Sequence, residues 1–545
     1  MPRLMNRAVS DGWFALAVAV LVLVVSQVPY EINRAHETPE RMFSDSLTFQ
    51  ADYSIYFSFV RQAAEGSWSF ENRITPERNA PVFVNLLWLV LGWLKAALAI
   101  SWAGLFHVWR VLGAVSYLLA FAFLCRSFIP DASTRRIALV VFATGGGVGW
   151  TFTLARKLGI DAFNGRWWLG QDAPADTFGA FHPFMQMLSF PFHACASALL
   201  VLALALYVRA ERRDSVRDRV AAGICCLLLG LVRPHEMTVA VGTIVLYGVG
   251  RALLEGGSWR AFVARCWIVV LPAPVVLYFA YVVAADPIFK WMHRQNILPP
   301  LYPLDLVLTL GLIMIPALAG LRALGRGART DPGLIVLGAW LVTVFGLFYA
   351  YPLFTYSLEF GSALLAPLVL LAFLPAQGKA PLPLRLPRTA LAFLVLVNAG
   401  TSIWLVGHKA IEWRRPSSPA FVDRRVVDAS SWLEENARRS DVVLSFPKTG
   451  HWILRYAGSK VFIASPVSTI DYRGKRKMVS AFFDPRTPIA NKQWMLRTFE
   501  IAYVVYGPEE RKTGFDPASL PALRRVYSNA GVDLFAVDQG GLLTS

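Results

Sequence analysis

Apolar runs long enough to cross a bilayer recur along this 545-residue chain, and they leave few architectures open. A hydrocarbon core about 30 Å thick takes about 20 apolar residues as helix. Within it, every backbone N–H and C=O has to be paired, so a chain with many such runs folds as a bundle of spanning helices. Only 16% of the residues are charged and 55% are apolar, whereas soluble domains are about a quarter charged. The fold class that follows is an all-α polytopic membrane domain with a small C-terminal α/β domain.

The short basic connectors set the expected orientation. They are Arg126 with Arg135 and Arg136; Arg209, Arg212, Arg213, Arg217 and Arg219; Arg251, Arg260 and Arg265; Arg322, Arg326 and Arg329; and Lys379, Arg385 and Arg388. Placing all of them in the cytoplasm satisfies the positive-inside rule. The N-terminus is then cytoplasmic and the C-terminal domain extracytoplasmic, in a bacterial cytoplasmic (inner) membrane. Spans are expected near residues 12–28, 104–125, 137–155, 187–208, 220–232, 237–251, 265–284, 304–321, 333–351, 361–376 and 389–407, about eleven in all. The first follows Arg3 and Arg7 without a small-residue cleavage site and reads as an uncleaved signal-anchor. Residues 81–100 are apolar enough to span, but a crossing there would carry every later basic connector outside. They are expected as an interfacial helix within the first outer loop, 29–103. The domains are thus 1–409, transmembrane, and 410–545, extracytoplasmic. The 13 residues Val220–Val232 span only about 20 Å of helix. That draws the connector Arg233-Pro234-His235-Glu236 below the outer surface, where ionisable residues usually face a cavity.

The net charge of +17 fits basic connectors and a basic outer domain. The basic residues are scattered between spans, not gathered on one face, which excludes nucleic acid as a partner. Cys125, Cys195, Cys225, Cys226 and Cys266 lie in or beside apolar runs without metal-ligand spacing, and read as core residues.

In this orientation the charged and aromatic residues collect outside. The first loop carries Asp45 and then the helix-like stretch Asp52-Tyr53-Ser54-Ile55-Tyr56. A carboxylate just outside the first span suits an enzyme that takes its substrate from a lipid carrier, and Asp52 is also a candidate helix cap. Further along lie Trp167, Trp168, Asp172, Asp176, His182 and His193; Arg233, His235 and Glu236; Asp286, Lys290, His293 and Arg294; and Tyr351, Tyr356 and Glu359. Lys290 and Arg294 read either as membrane-interface anchors or as partners of a lipid phosphate.

From about residue 410 the apolar runs shorten. Helices are expected over 429–438, 450–457 and 489–500, with strands over 441–446, 460–464, 502–506, 525–528 and 532–537. The alternation predicts a small α/β layer domain. No G-x-G-x-x-G or P-loop is present, so nucleotide binding has no support.

Asp52-Tyr53-x-x-Tyr56 followed by Ala64-Glu65-Gly66, with Arg110 early in the next span, resembles the GT-C class of integral-membrane glycosyltransferases. That class includes protein O-mannosyltransferases, aminoarabinose transferases and oligosaccharyltransferase catalytic subunits. The chain also resembles a group of bacterial membrane proteins with a GP-E element, here Gly507-Pro508-Glu509-Glu510. The paired acidic dipeptide of the mannosyltransferases is absent. The resemblance implies a transferase moving a sugar from a polyprenyl-phosphate donor to a hydroxyl of a glycan, lipid or protein acceptor. Asp52 would be the general base, with Asp45 in reserve. Arg233, Lys290 and Arg294 would meet the leaving phosphate. Trp167 and Trp168 would stack on a sugar face, and Tyr56, His235 and Glu236 complete the substrate-binding set. A divalent metal (Mg or Mn), held by Asp52 with His182 or His235, is a candidate addition. Two other readings stand beside this one: a lipid or glycan transporter, and an inactive assembly protein of cell-envelope glycan biosynthesis on the same scaffold.

Overall fold

The computed structural model describes residues 2–160, 167, 174–177, 179–295, 298–327, 331–351, 353–374, 388–411 and 418–538. The chain forms two compact units. One takes Met1–Pro29, Phe106–Phe279 and Ile297–Ile411; the other takes Tyr30–Leu105, Ala280–Asn296 and Glu412–Ser545.

The chain is a multi-pass membrane protein. Among the described residues seven helices are long and apolar enough to cross a membrane: Ser10–Arg34, Trp102–Phe128, Pro191–Arg213, Pro234–Leu254, Pro303–Gly327, Pro332–Tyr349 and Phe393–Ile411. The pair Trp259–Val270 and Ala273–Ala285, bent by 53°, makes an eighth if taken as one span. Pro191, Pro234, Pro303 and Pro332 each open a helix, where proline's missing N–H costs nothing and its fixed φ already suits the helix.

The other three expected spans differ from what the sequence suggested: two are broken or shorter, and one is longer. The stretch 137–155 is two helices, Ala132–Ala143 and Gly149–Lys157, parted at Gly145-Gly146-Gly147. Three glycines weaken a helix by about 1 kcal/mol each. Here they also allow close approach, since a Cβ on Gly147 would collide with the carbonyl oxygens of Leu308 and Thr309. The broken backbone is paired inside the protein. The Val148 N–H donates to the Leu308 carbonyl at 2.9 Å, and the Thr401 hydroxyl oxygen lies 3.0 Å from the Gly147 carbonyl oxygen. Asp176, buried, accepts from the Gly149 N–H at 3.0 Å and from Thr401 at 2.7 Å. The stretch 220–232 is a 17-residue helix, Val216–Val232, about 26 Å long. It starts early because Ser215 caps it, accepting from the Asp218 N–H at 3.2 Å. The stretch 361–376 is a 3₁₀ turn, Ser357–Ala363, followed by the nine-residue helix Leu365–Phe373.

The second unit is built on two sheets. β1 (Arg41–Phe43) pairs antiparallel with β2 (Phe421–Asp423), joining the first loop to the C-terminal region. Five strands make the main sheet: β3 (Val442–Leu444), β4 (Lys460–Val461), β5 (Ile501–Tyr506), β6 (Leu523–Ser528) and β7 (Asp533–Val537). Their order is β4-β3-β5-β7-β6; β3 runs parallel to β4 and β5, and β7 runs antiparallel to β5 and β6. All three residues of β3 are buried, as a central parallel strand requires. Val442, Leu444, Phe462, Val479, Phe482, Leu496, Val504 and Phe535 share the core. Helix Tyr472–Phe482, which the sequence reading omitted, supplies Val479 and Phe482.

The first loop is bound along its length to this domain. Arg61, on helix Gln50–Ala64, pairs with Glu434, donates to the Tyr456 carbonyl at 2.8 Å and lies over the Trp102 ring. Arg73 donates to the Gly458 carbonyl at 2.9 Å, and its own carbonyl accepts from Val461 at 2.9 Å. Lys460 pairs with Glu71 at 2.6 Å, and Lys475 with Glu77 at 2.5 Å. Helix Leu86–Leu98 has 13 residues, about 20 Å, short of a 30 Å core.

The GP-E element has a structural reading in this domain. Glu510 is fully buried and accepts from the Phe446 N–H at 2.8 Å and the Gly507 N–H at 3.1 Å. It clips the turn after β3 to the turn after β5. Burial pushes its carboxyl above the usual range, against the opposing pull of those hydrogen bonds.

His451, on the helix Pro447–Tyr456 after β3, is held neutral. Burial, with Arg455 and Lys448 nearby, pushes its pKa down to about 3. The unfolded chain takes up that proton below about pH 6.5. Its contribution is therefore fully present above that pH and is lost as pH falls towards 3, by up to about 1.4 kcal/mol per unit and by less where water screens the ring. Denaturation of wild type and His451→Gln from pH 7.5 to 4 should show a shallower acid loss in the variant. Parallel curves would remove His451 from the account.

Candidate active site

The sequence candidates divide between the two units. Asp45, Asp52, Tyr56, Lys290 and Arg294 lie in the unit that holds the first loop; Trp167, His182, Arg233, His235 and Glu236 lie in the other. Trp168 lies outside the described residues.

Helix Gln50–Ala64 begins one turn earlier than a cap at Asp52 would put it. Its cap position is Phe49, in the left-handed region with φ 45°, and Asp52 sits at the third helical position. The carboxylate there lies near the positive end of the helix dipole. Asp52 is half-buried, while Tyr53, Ser54 and Ile55 turn into the unit's interior. Tyr56 stacks on Trp88, with ring centroids 4.8 Å apart, and meets Tyr53 edge-on at 5.8 Å. Asp45, also in the left-handed region at φ 51°, is ion-paired with Arg34 at 2.5 Å.

Lys290 and Arg294 belong to the helix Pro287–Gln295, which Asp286 starts by accepting from the Ile288 and Phe289 N–H groups at 2.7 and 3.1 Å. Both side chains are exposed, and neither has an ion pair or hydrogen bond among the described residues. A run of rings ties this helix to the one bearing Asp52. Phe59 packs on Phe83 at 5.2 Å, and Phe83 packs on Phe289 at 4.6 Å. Spacing alone did not single out Phe83 or Phe289; both read as ordinary apolar residues.

In the other unit, Arg233 is buried at the start of helix Pro234–Leu254. It pairs with Glu236, which is fully buried, and with Glu359 at 2.6 Å. It also donates to His193 Nδ1 at 2.9 Å. A guanidinium only donates, so Nδ1 is an acceptor and the His193 proton sits on Nε2, 3.8 Å from Glu359. Ser362 donates to Glu236 at 3.0 Å, and the His235 ring stacks on Tyr356 at 5.0 Å. Glu359 and His193 were among the residues expected outside from the sequence, but 126 and 40 positions from Arg233 nothing in the sequence joined them to it. Trp167 is buried, edge-on to Phe152 at 4.9 Å. His182 is buried, and among the described residues neither of its ring nitrogens is hydrogen-bonded. Among the described residues no three His, Cys, Asp or Glu side chains are grouped to hold a metal ion.

No family model matches the chain, and no curated protein matches it in sequence. Solved structures do match it in shape. ArnT from Cupriavidus metallidurans bound to undecaprenyl phosphate aligns over 97% of this chain and 98% of its own, with a TM-score of 0.54 at 14% identity. The arabinofuranosyltransferase AftD from Mycobacteria aligns over 97% of this chain and 40% of its own, with a TM-score of 0.56 at 15% identity. The Archaeoglobus fulgidus oligosaccharyltransferase in its apo form aligns over 96% and 74%, with a TM-score of 0.51 at 14% identity. These matches cover the membrane helices and the C-terminal domain alike: the chain has the fold of the GT-C class of integral-membrane glycosyltransferases.

Proposed function

We propose that this chain is a membrane glycosyltransferase that moves a sugar from a polyprenyl-phosphate carrier to an acceptor hydroxyl on the outer face of the membrane. The observation that carries this reading is that one compact unit holds both a half-buried helix-start carboxylate, Asp52, and two exposed cations, Lys290 and Arg294, that have no ion pair or hydrogen bond among the described residues. The fold supports it, and so does the undecaprenyl phosphate in the ArnT structure.

In this reading Asp52 takes the proton of the acceptor hydroxyl as its oxygen attacks the anomeric carbon. The bond from that carbon to the phosphate oxygen breaks, and the carrier phosphate leaves with added negative charge. Lys290 and Arg294 meet that charge, Arg294 with the fork that suits a phosphate. Arg233, whose charge is already met by Glu236 and Glu359, holds helix ends together. Asp45, paired with Arg34, positions the loop.

The test supplies labelled polyprenyl-phosphate sugars to the purified chain in membranes and follows label from lipid into product. Transfer is expected, and Lys290→Ala/Arg294→Ala should raise the donor KM by about tenfold or more, since hydrogen bonds to charged groups contribute about 1.5–3 kcal/mol. A folded protein that transfers no sugar from any donor would turn the reading towards the inactive assembly scaffold.

A further inference from the structure

A second basic site lies far from these residues in the sequence, in the turn between the helices Pro191–Arg213 and Val216–Val232. An open pocket of about 540 Å³ is lined there by Arg209, Arg213, Ser215, Arg217, Asp218 and Ala221. Neighbouring arginines are balanced by acids. Arg212 pairs with Asp331 at 2.7 Å, Arg219 with Glu211 and Asp214 at 2.8 Å each, and Arg251 and Arg265 with Glu255 at 2.6 and 2.9 Å. In the pocket itself Arg209 grips both oxygens of Asp218, at 2.5 and 2.7 Å. Arg213 and Arg217 are different: both are exposed, and neither has an ion pair or hydrogen bond among the described residues. The pocket therefore carries a surplus of two positive charges.

The surface below the pocket has a different character. Arg217, Ala221 and Ile224 follow one another at i, i+4 and i+7, so they share a helix face. Ile224 and Val216 are 48% and 59% exposed. A charged head position is thus continued by exposed apolar surface on the same helix. Ser215, at the rim, has a hydroxyl that can donate to a phosphate oxygen while its oxygen caps the helix.

We propose that this pocket binds the phosphate of an anionic phospholipid from the surrounding bilayer, with Arg213 and Arg217 on the phosphate and an acyl chain along Ala221 and Ile224. This site is independent of sugar transfer. Basic residues at a membrane surface gain about 1 kcal/mol each from anionic lipid, a factor of about five, so the pair should give roughly 30-fold preference.

The test uses the purified full chain in a neutral detergent, with retained lipid read by native mass spectrometry and thermal unfolding read in parallel. Phosphatidylglycerol, phosphatidylcholine and inorganic phosphate are titrated separately. Wild type should bind phosphatidylglycerol roughly 30-fold more tightly than phosphatidylcholine. Arg213→Ala/Arg217→Ala should lose that preference, while Arg322→Ala/Arg326→Ala, which removes the same charge elsewhere, should keep it. Equal loss in both variants would reduce the effect to net charge and overturn the site. So would a wild type without preference. Inorganic phosphate that displaces the lipid at equal concentration would reassign the pocket to a free anion.

Discussion

Asp52→Asn is expected to lower sugar transfer by a factor of about 10² to 10⁴, the usual contribution of a positioned general base, with little change in folding. The substitution keeps the size of the side chain and removes its charge. At the start of its helix the half-buried carboxylate's charge contributes about 0.3–1 kcal/mol. Thermal unfolding should therefore barely move while turnover collapses, and donor binding should persist because Lys290 and Arg294 are untouched. Asp45→Asn gives the contrast. It removes one of the two carboxylates paired with Arg34, leaving Glu31 at 2.8 Å, and should reduce activity less. If the two variants exchange behaviour, Asp45 is the base. If Asp52→Asn transfers sugar at the wild-type rate, Asp52 has no part in proton removal.

Arg233→Ala should have the largest effect on stability. Arg233 is 2% exposed and Glu236 is 0% exposed, so removing the cation strands a buried carboxylate. Breaking a buried pair in this way costs about 3–5 kcal/mol. Glu359 is more tolerant, because its side chain is 37% exposed and water can reach it. Arg233→Met/Glu236→Met should then recover much of the loss, since apolar replacement of a buried pair is often neutral. Thermal unfolding of the three proteins in detergent measures this directly. A folded Arg233→Ala protein with wild-type stability and a raised donor KM would return Arg233 to the carrier phosphate.

How far the sequence reached depends on what kind of signal each element has. Long apolar helices were legible because burial in lipid imposes a length and composition that nothing else imitates. The expected span 137–155 failed at Gly145-Gly146-Gly147, where a hydropathy reading sees small apolar residues and the backbone sees a break held by Asp176 and Thr401. In the C-terminal domain, the β-branched and aromatic run Ile501–Tyr506 announced its strand. The two-stranded pairing of Arg41–Phe43 with Phe421–Asp423 gave no such signal, because each strand has three residues. Asp52 was singled out by its sequence neighbourhood as a candidate, whereas the Arg233–Glu359 pair was out of reach because its partners are 126 positions apart. Charges at the ends of separate spans meet only once the helices are packed.

The pairing of Arg61 with Glu434 also sets a timetable. The two residues are 373 positions apart, and a ribosome adding about 5–20 residues per second needs roughly 20–75 s to cover that distance. For that interval the helix carrying Asp52 has left the ribosome before Glu434, the Tyr456 carbonyl or Gly458 exists to hold it. A nascent chain at this stage has its first loop exposed to proteases and chaperones. A truncation anywhere before Glu434 would leave it so permanently.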